Sequence, residues 1–152
     1  MDPALVASSL SMAWKLTFNL NEVFYAKPLV YTPPGAPNEY VITVSNQNIV
    51  RVFDGLTGKS ITNRTLDAPF ASSDTDCGDI PNTVGITGTP IIDPNTDIMY
   101  FFSKGYKNGQ AGPQGTILGQ YKFYAVKLPS LVDVTGFPVI IDGHFANNDP
   151  TR

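Results

Sequence analysis

The chain has 152 residues, with ten Lys plus Arg against thirteen Asp plus Glu, a net charge of −3, and thirteen each of Gly and Pro. Its basic residues are scattered from Lys15 to Arg152, so no basic stripe exists to follow a phosphate backbone, which excludes nucleic acid as a partner. A single cysteine, Cys77, and a single histidine, His144, exclude an internal disulfide and every zinc pattern built from several Cys and His ligands.

Nine Phe and seven Tyr among frequent turn residues predict an all-β chain of short strands. Residues 1–9 carry neither a basic leader nor an apolar run of signal-peptide or membrane-helix length, so neither a secretion address nor a membrane partner is expected. Asp2 and Pro3 have the form of a helix start, but the stretch is short and Ser-rich and reads as an irregular lead-in. A strand follows over 13–18, where Trp14, Leu16 and Phe18 alternate with Lys15 and Thr17. The next strand, 23–31, contains Pro28 and is of edge type, and 32–38 is a Pro-rich loop.

Two apolar strands, 40–44 and 49–53, are joined by Ser45, Asn46, Gln47 and Asn48 in the manner of a tight hairpin. Asp54 and Gly58 supply turn chemistry, and 59–66 is polar enough to be an outer strand. Residues 67–83 read as a long surface connection. The strand 84–93 follows, where Gly85 and Gly88 invite close backbone approach and Pro90 demands an edge. Residues 93–97 turn the chain into 98–102; a Gly- and Gln-rich insertion, 105–119, precedes the strand 120–128, and 134–141 is the last strand.

The two halves repeat. Residues 26–30 answer 88–92, 40–44 answer 98–102, and 50–53 answer 123–126, with Pro28 matched to Pro90. Blade-like units of four strands are therefore expected over about 23–66 and 84–141. The central strands are apolar on both faces and no amphipathic helix is available to cover them, so sheets must cover sheets. Repeated meanders with an edge proline favour radially packed blades over a sandwich.

Trp14 to Phe18, Tyr25 to Leu29, Val52-Phe53-Asp54 with Thr57-Gly58, and Gly85 to Asp93 together resemble the pyrroloquinoline-quinone-like repeat of quinoprotein-type β-propellers. Cys77, Asp79 and Ile80 match a Cys-x-Asp-Ile segment that precedes the Gly-Ile-Thr-Gly-Thr-Pro strand in secreted members. The likeness spans about residues 9–145 and departs at Val126 to Ser130, where the repeat's Asp and Thr-Gly turn are absent. It implies an incomplete β-propeller: one partial domain over 1–152, two four-stranded antiparallel blades, and a 13–18 strand belonging to the closing blade. It also implies exposed apolar blade faces, an extracellular parent protein, and as partners the remaining blades or other copies of the chain.

The resemblance does not carry a quinone with it. Family members that hold the cofactor stack it between a tryptophan and a disulfide of adjacent cysteines, whereas Cys77 has no cysteine neighbour and Trp14 falls on an outer strand. Asp74, Asp76 and Asp79 are the candidates for a hard cation such as calcium, set against their reading as solvated loop acids. Asp93, Asn95 and Asp97 open like a calcium loop, but Ile98 and Lys104 stand where that loop needs Gly and Glu, so a hairpin turn is expected. Cys77, beside Asp76 and Asp79, reads as a structural thiol, and His144 as part of a turn toward the next unit. Asn63-Arg64-Thr65 is a glycosylation acceptor pattern.

Tyr100, Phe101, Phe102, Tyr121, Phe123 and Tyr124 read as packing between blades in preference to a carbohydrate platform. The expected role is a non-catalytic structural or binding scaffold. The alternative is the N-terminal part of a secreted oxidoreductase or glycan-active enzyme whose site needs the full propeller. Such a site requires convergent polar groups on the inner strands, which offer mainly Lys27, Thr87 and Thr89.

Overall fold

The computed structural model describes residues 11–19, 21–75, 78–107 and 119–141. It is all-β and antiparallel. The first sheet has the order β1 (Leu29–Tyr31), β2 (Tyr40–Val44), β3 (Ile49–Asp54), β4 (Ser60–Thr65). A small hairpin pairs β5 (Phe70–Ala71) with β6 (Thr83–Val84). The second sheet holds β7 (Ile91–Asp93), β8 (Ile98–Tyr106) and β9 (Gly119–Lys127), with β10 (Val132–Asp133) and β11 (Val139–Ile141) both paired to β9. Among the described residues no helix is long and apolar enough to cross a membrane.

The period-2 pattern decides which side chains meet. Ile42 pairs with Val52 and Val44 with Val50, so all four share one face of the first sheet. They join Met99, Phe101, Tyr124 and Val126 from one face of the second sheet in a single core, closed by Ala26, Ile86, Leu128 and Leu131. Phe101 and Tyr124 lie parallel at 5.1 Å between ring centres. Arg64 crosses from β4 to β10, donating to Leu131 O at 2.8 Å and to both carboxylate oxygens of Asp133. The Asp133 hydrogen bonds, with its charge as a lesser cause, hold the Arg64 guanidinium above its already high ordinary pKa.

The register carries the sequence repeat through. Leu29 pairs with Ile42 as Ile91 pairs with Tyr100, and Ile42 with Val52 as Tyr100 with Ala125. Between the sheets, Lys27 N donates to Thr89 Oγ1 at 3.1 Å across the two matched proline segments.

Several expectations are corrected. Residues 13–18 form no strand; they run along the first sheet and touch it through side chains, Trp14 Nε1 donating to Gly55 O at 2.8 Å and Phe18 meeting Phe53 edge-on. Trp14 is therefore not on an outer strand. Of 23–31 only Leu29–Tyr31 pairs, because Val23 N is taken by the Asn46 side chain at 2.8 Å. Residues 84–93 are not one strand: Thr83–Val84 pairs with β5, and only Ile91–Asp93 joins β8 as an edge. Gly88 has open space where a Cβ would go, so close approach holds at Gly85 alone. The connection 67–83 is not all surface, since Phe70 is buried against Tyr106 with ring centres 4.8 Å apart. Among the described residues the second unit has five strands: of the predicted last strand, 134–141, residues 134–137 form a turn, with Gly136 at φ +91°, and only Val139–Ile141 pairs, as β11, while β10, Val132–Asp133, lies before it.

Candidate functional site

The feature that stands apart from an ordinary closed β-fold is the far face of the second sheet. Tyr100, Phe102, Phe123 and Ile91 alternate with the core residues of β7, β8 and β9 and so point away from the core. Phe102 is 54% exposed and Ile91 71%. Phe102 and Phe123 stack at 4.7 Å and Phe137 meets Phe123 edge-on at 5.8 Å. Ile91, Tyr100, Phe102 and Phe123, with Gly88 and Thr89, line an open cleft of about 370 Å³ that holds almost no polar surface. Tyr121 continues the face, under the Lys104 ammonium, which also lies over the Phe70 ring.

The repeat tells what kind of surface this is. Tyr100, Phe102, Phe123 and Ala125 occupy the positions that Ile42, Val44, Val50 and Val52 occupy in the first sheet. In the first sheet that face is buried, Val44 being 2% exposed where its counterpart Phe102 is 54% exposed. The opposite face of the first sheet, with Val41, Thr43, Arg51 and Phe53, is the counterpart of the second sheet's core face. The two sheets thus pack head to tail, unlike faces together, as in heterologous association. Of the six aromatics expected to pack between units, Phe101 and Tyr124 lie between the two sheets, while Tyr100, Phe102, Tyr121 and Phe123 face away.

A second cluster, which sequence reasoning missed, is the β2–β3 turn. Asn46 is fully buried; its side chain accepts from Val23 N and donates to Thr83 O, while its backbone N donates to Val23 O. Asn48, at φ +56°, sends its side-chain nitrogen to Asp67 O at 3.1 Å and Lys104 O at 2.9 Å. Ser45 O accepts from Ile86 N and Asn48 O from Leu66 N. Four residues predicted as a simple hairpin turn therefore tie together segments from both halves. Beside them a polar cleft of about 490 Å³ is lined by Asn21, Glu22, Gln47, Asn82 and Thr83 among others. Glu22, its side chain 1% exposed, receives both guanidinium nitrogens of Arg51, which also lies 5.0 Å over Phe18. The legible signal was Arg51 itself, a charge in the middle of Ile-Val-Arg-Val-Phe.

Those predicted site residues that are described do not converge. Asp74 accepts from the Tyr106 hydroxyl at 2.6 Å, and Asp79 is exposed on a bend. Asp76, Cys77 and His144 lie outside the described residues. Among the described residues no three Asp, Glu, His or Cys side chains are grouped to hold a metal. Asp93 is occupied with its own turn, accepting from Asn95 N and Thr96 Oγ1, and these bonds hold its carboxyl below the usual range. Asn63 is exposed on the edge strand β4. Lys27 contributes its backbone and Thr89 its hydroxyl to the bond between the sheets, and Thr87 is half-buried.

Asp97, at φ +56°, accepts from the Tyr31 hydroxyl and joins β1 to the β7–β8 turn. That hydrogen bond, followed by burial and the charges of Asp97 and Asp93, pushes the Tyr31 hydroxyl up to about 12 from its ordinary 10.0. The folded state holds this proton more tightly than the unfolded one, so the contribution is complete below pH 10.0 and is lost as pH rises toward about 12. Burial raises the Tyr106 and Tyr124 hydroxyls in the same direction. Denaturation midpoints measured across that window are expected to fall with pH, and Tyr31→Phe to remove part of the slope. An unchanged slope in the variant would show that the Tyr31–Asp97 bond is not formed in solution.

No family model, curated protein or solved structure matches the chain.

Proposed function

We propose that this chain is a non-catalytic scaffold segment of a quinoprotein-like β-propeller, its two sheets being successive blades whose partners are further blades or other copies. One observation carries the reading: two sheets equivalent in sequence and register pack unlike faces together, and the face that the first buries against the second is left open and aromatic on the second. In a radial array each blade covers its neighbour in this sense, and the terminal face stays bare until another blade meets it. The bare face supplies large, stiff aromatic area and almost no polar groups, which suits packing against another apolar sheet and not the orientation of a small substrate.

The test is native-state binding of an apolar fluorescent dye. The folded chain is expected to bind it, and Phe102→Asp to lose most of that binding with the circular dichroism unchanged. Phe102 is already half-exposed, so the substitution removes apolar surface without opening the core. A native chain that binds no dye, or binds it equally after Phe102→Asp, would show that the face is closed in solution and would remove the basis for this reading.

A further inference from the structure

We propose that residues 12–18 are a displaceable strap over the outer face of the first sheet, and that a second copy of the chain docks there with its open aromatic face when the strap leaves. The inference rests on the head-to-tail reading above and adds to it both the occupant and the control. The face under the strap, Val41, Thr43, Arg51 and Phe53, is the counterpart of the face with which the second sheet packs on the first. The aromatic face of the second sheet is in turn the counterpart of the surface that receives it. One chain therefore carries both halves of a contact that it already makes once internally, one half open and the other covered.

The cover is slight. Residues 12–18 make no ladder with the sheet; they are held by the Trp14 Nε1 bond to Gly55 O, by packing of Trp14 on Gly58 and Phe18 on Phe24 and Phe53, and by the Arg51 guanidinium 5.0 Å over the Phe18 ring. A cavity of about 240 Å³ lies between strap and sheet, lined by Trp14, Leu16, Phe18, Pro28, Val41 and Thr43 among others. Met12 is 73% exposed and Leu16 36%, so much of the strap's own apolar surface is spent on solvent. A sheet face the width of β7–β9 would bury more. Because the contact is between unlike faces, docking one copy leaves a new aromatic face open, and assembly continues beyond the dimer until a ring closes.

Sedimentation of the full chain over a range of concentrations tests this. Trp14→Ala removes the strap's anchor and is expected to tighten self-association about tenfold, the scale of losing one well-packed competitor. Adding Phe102→Asp to Trp14→Ala is expected to return the chain to monomer. Leu16→Gly, at a residue that touches solvent, loosens the strap independently should Trp14→Ala unfold. Association that ignores Phe102→Asp, growth that stops at a dimer, or folded Trp14→Ala and Leu16→Gly chains that stay monomeric would each overturn the proposal. Dye binding at Phe102 would still stand in those cases, so the strap and the open face fail separately.

Discussion

Arg51→Ala is expected to destabilise the chain by about 3–5 kcal/mol, the range for removing one partner of a buried ion pair. The Glu22 side chain is 1% exposed and Arg51 18%, and the second guanidinium nitrogen stands 3.0 Å from Glu22 Oε2. With the guanidinium gone, the Glu22 carboxylate keeps its burial and loses both charge-assisted donors. Phe18 loses the cation above its ring at the same time, which loosens residues 12–18 from the sheet. The double variant Glu22→Leu with Arg51→Met is expected to recover most of the loss, since an apolar pair of similar volume carries no desolvation cost. Urea denaturation of Glu22→Leu, Arg51→Met and the double variant gives the coupling directly. Single variants that each cost less than about 1 kcal/mol would show the pair to be solvated, as surface pairs are.

Gly85→Ala is expected to cost about 3 kcal/mol, at the upper end of what overpacking does, because the obstacle is backbone. A Cβ at residue 85 would stand 2.4 Å from Asn46 O, 2.6 Å from Asn48 Oδ1 and 2.8 Å from Asn46 C. Two of these atoms are backbone, and the third belongs to an amide whose nitrogen is held by Asp67 O and Lys104 O. To make room, the β2–β3 turn must move, and it carries the bonds from Ile86 N to Ser45 O and from Asn48 to Lys104 O and Asp67 O. The neighbouring Lys104 N bond to Gly85 O is strained by the same shift. Gly88→Ala is the control: a Cβ there meets nothing within 4 Å, so stability is expected to stay within about 0.5 kcal/mol. At roughly 2–4 °C per kcal/mol for a chain of this size, thermal melts separate the two variants by about 6–12 °C. Equal melting points would place the turn further from Gly85 than the structure has it.

The contrast between these two glycines shows where sequence reasoning runs out. Both stand in Gly-Ile-Thr-Gly-Thr-Pro and both invite close approach, yet which of them is approached depends on a turn 37 residues earlier that no local pattern brings near. The same holds for Asn46 and Asn48, whose partners lie at Thr83, Asp67 and Lys104. From residue types alone they are hairpin-turn residues; their burial follows from where the second sheet lands. The short ladders also belong to tertiary structure: Val84 leaves the predicted strand and joins Thr83 in pairing with Phe70–Ala71, and Phe70 goes there because Tyr106 receives its ring.

What the sequence by itself determined is the all-β class, the β2–β3 and β7–β8 hairpins, and the correspondence of the two halves. These rest on alternation, turn chemistry and a matched order of strands, all written in neighbouring residues. The aromatic candidates were legible as a set, but their division was not: alternation places Phe101 and Phe102 on opposite faces without saying which face is covered. Only the packing decided that, by burying Phe101 with Tyr124 against the first sheet and leaving Phe102 and Phe123 outward. The tertiary structure likewise turned residues 13–18 from an expected strand into a side-chain cover, because strand formation needs ladder partners, and alternation in one segment cannot supply them.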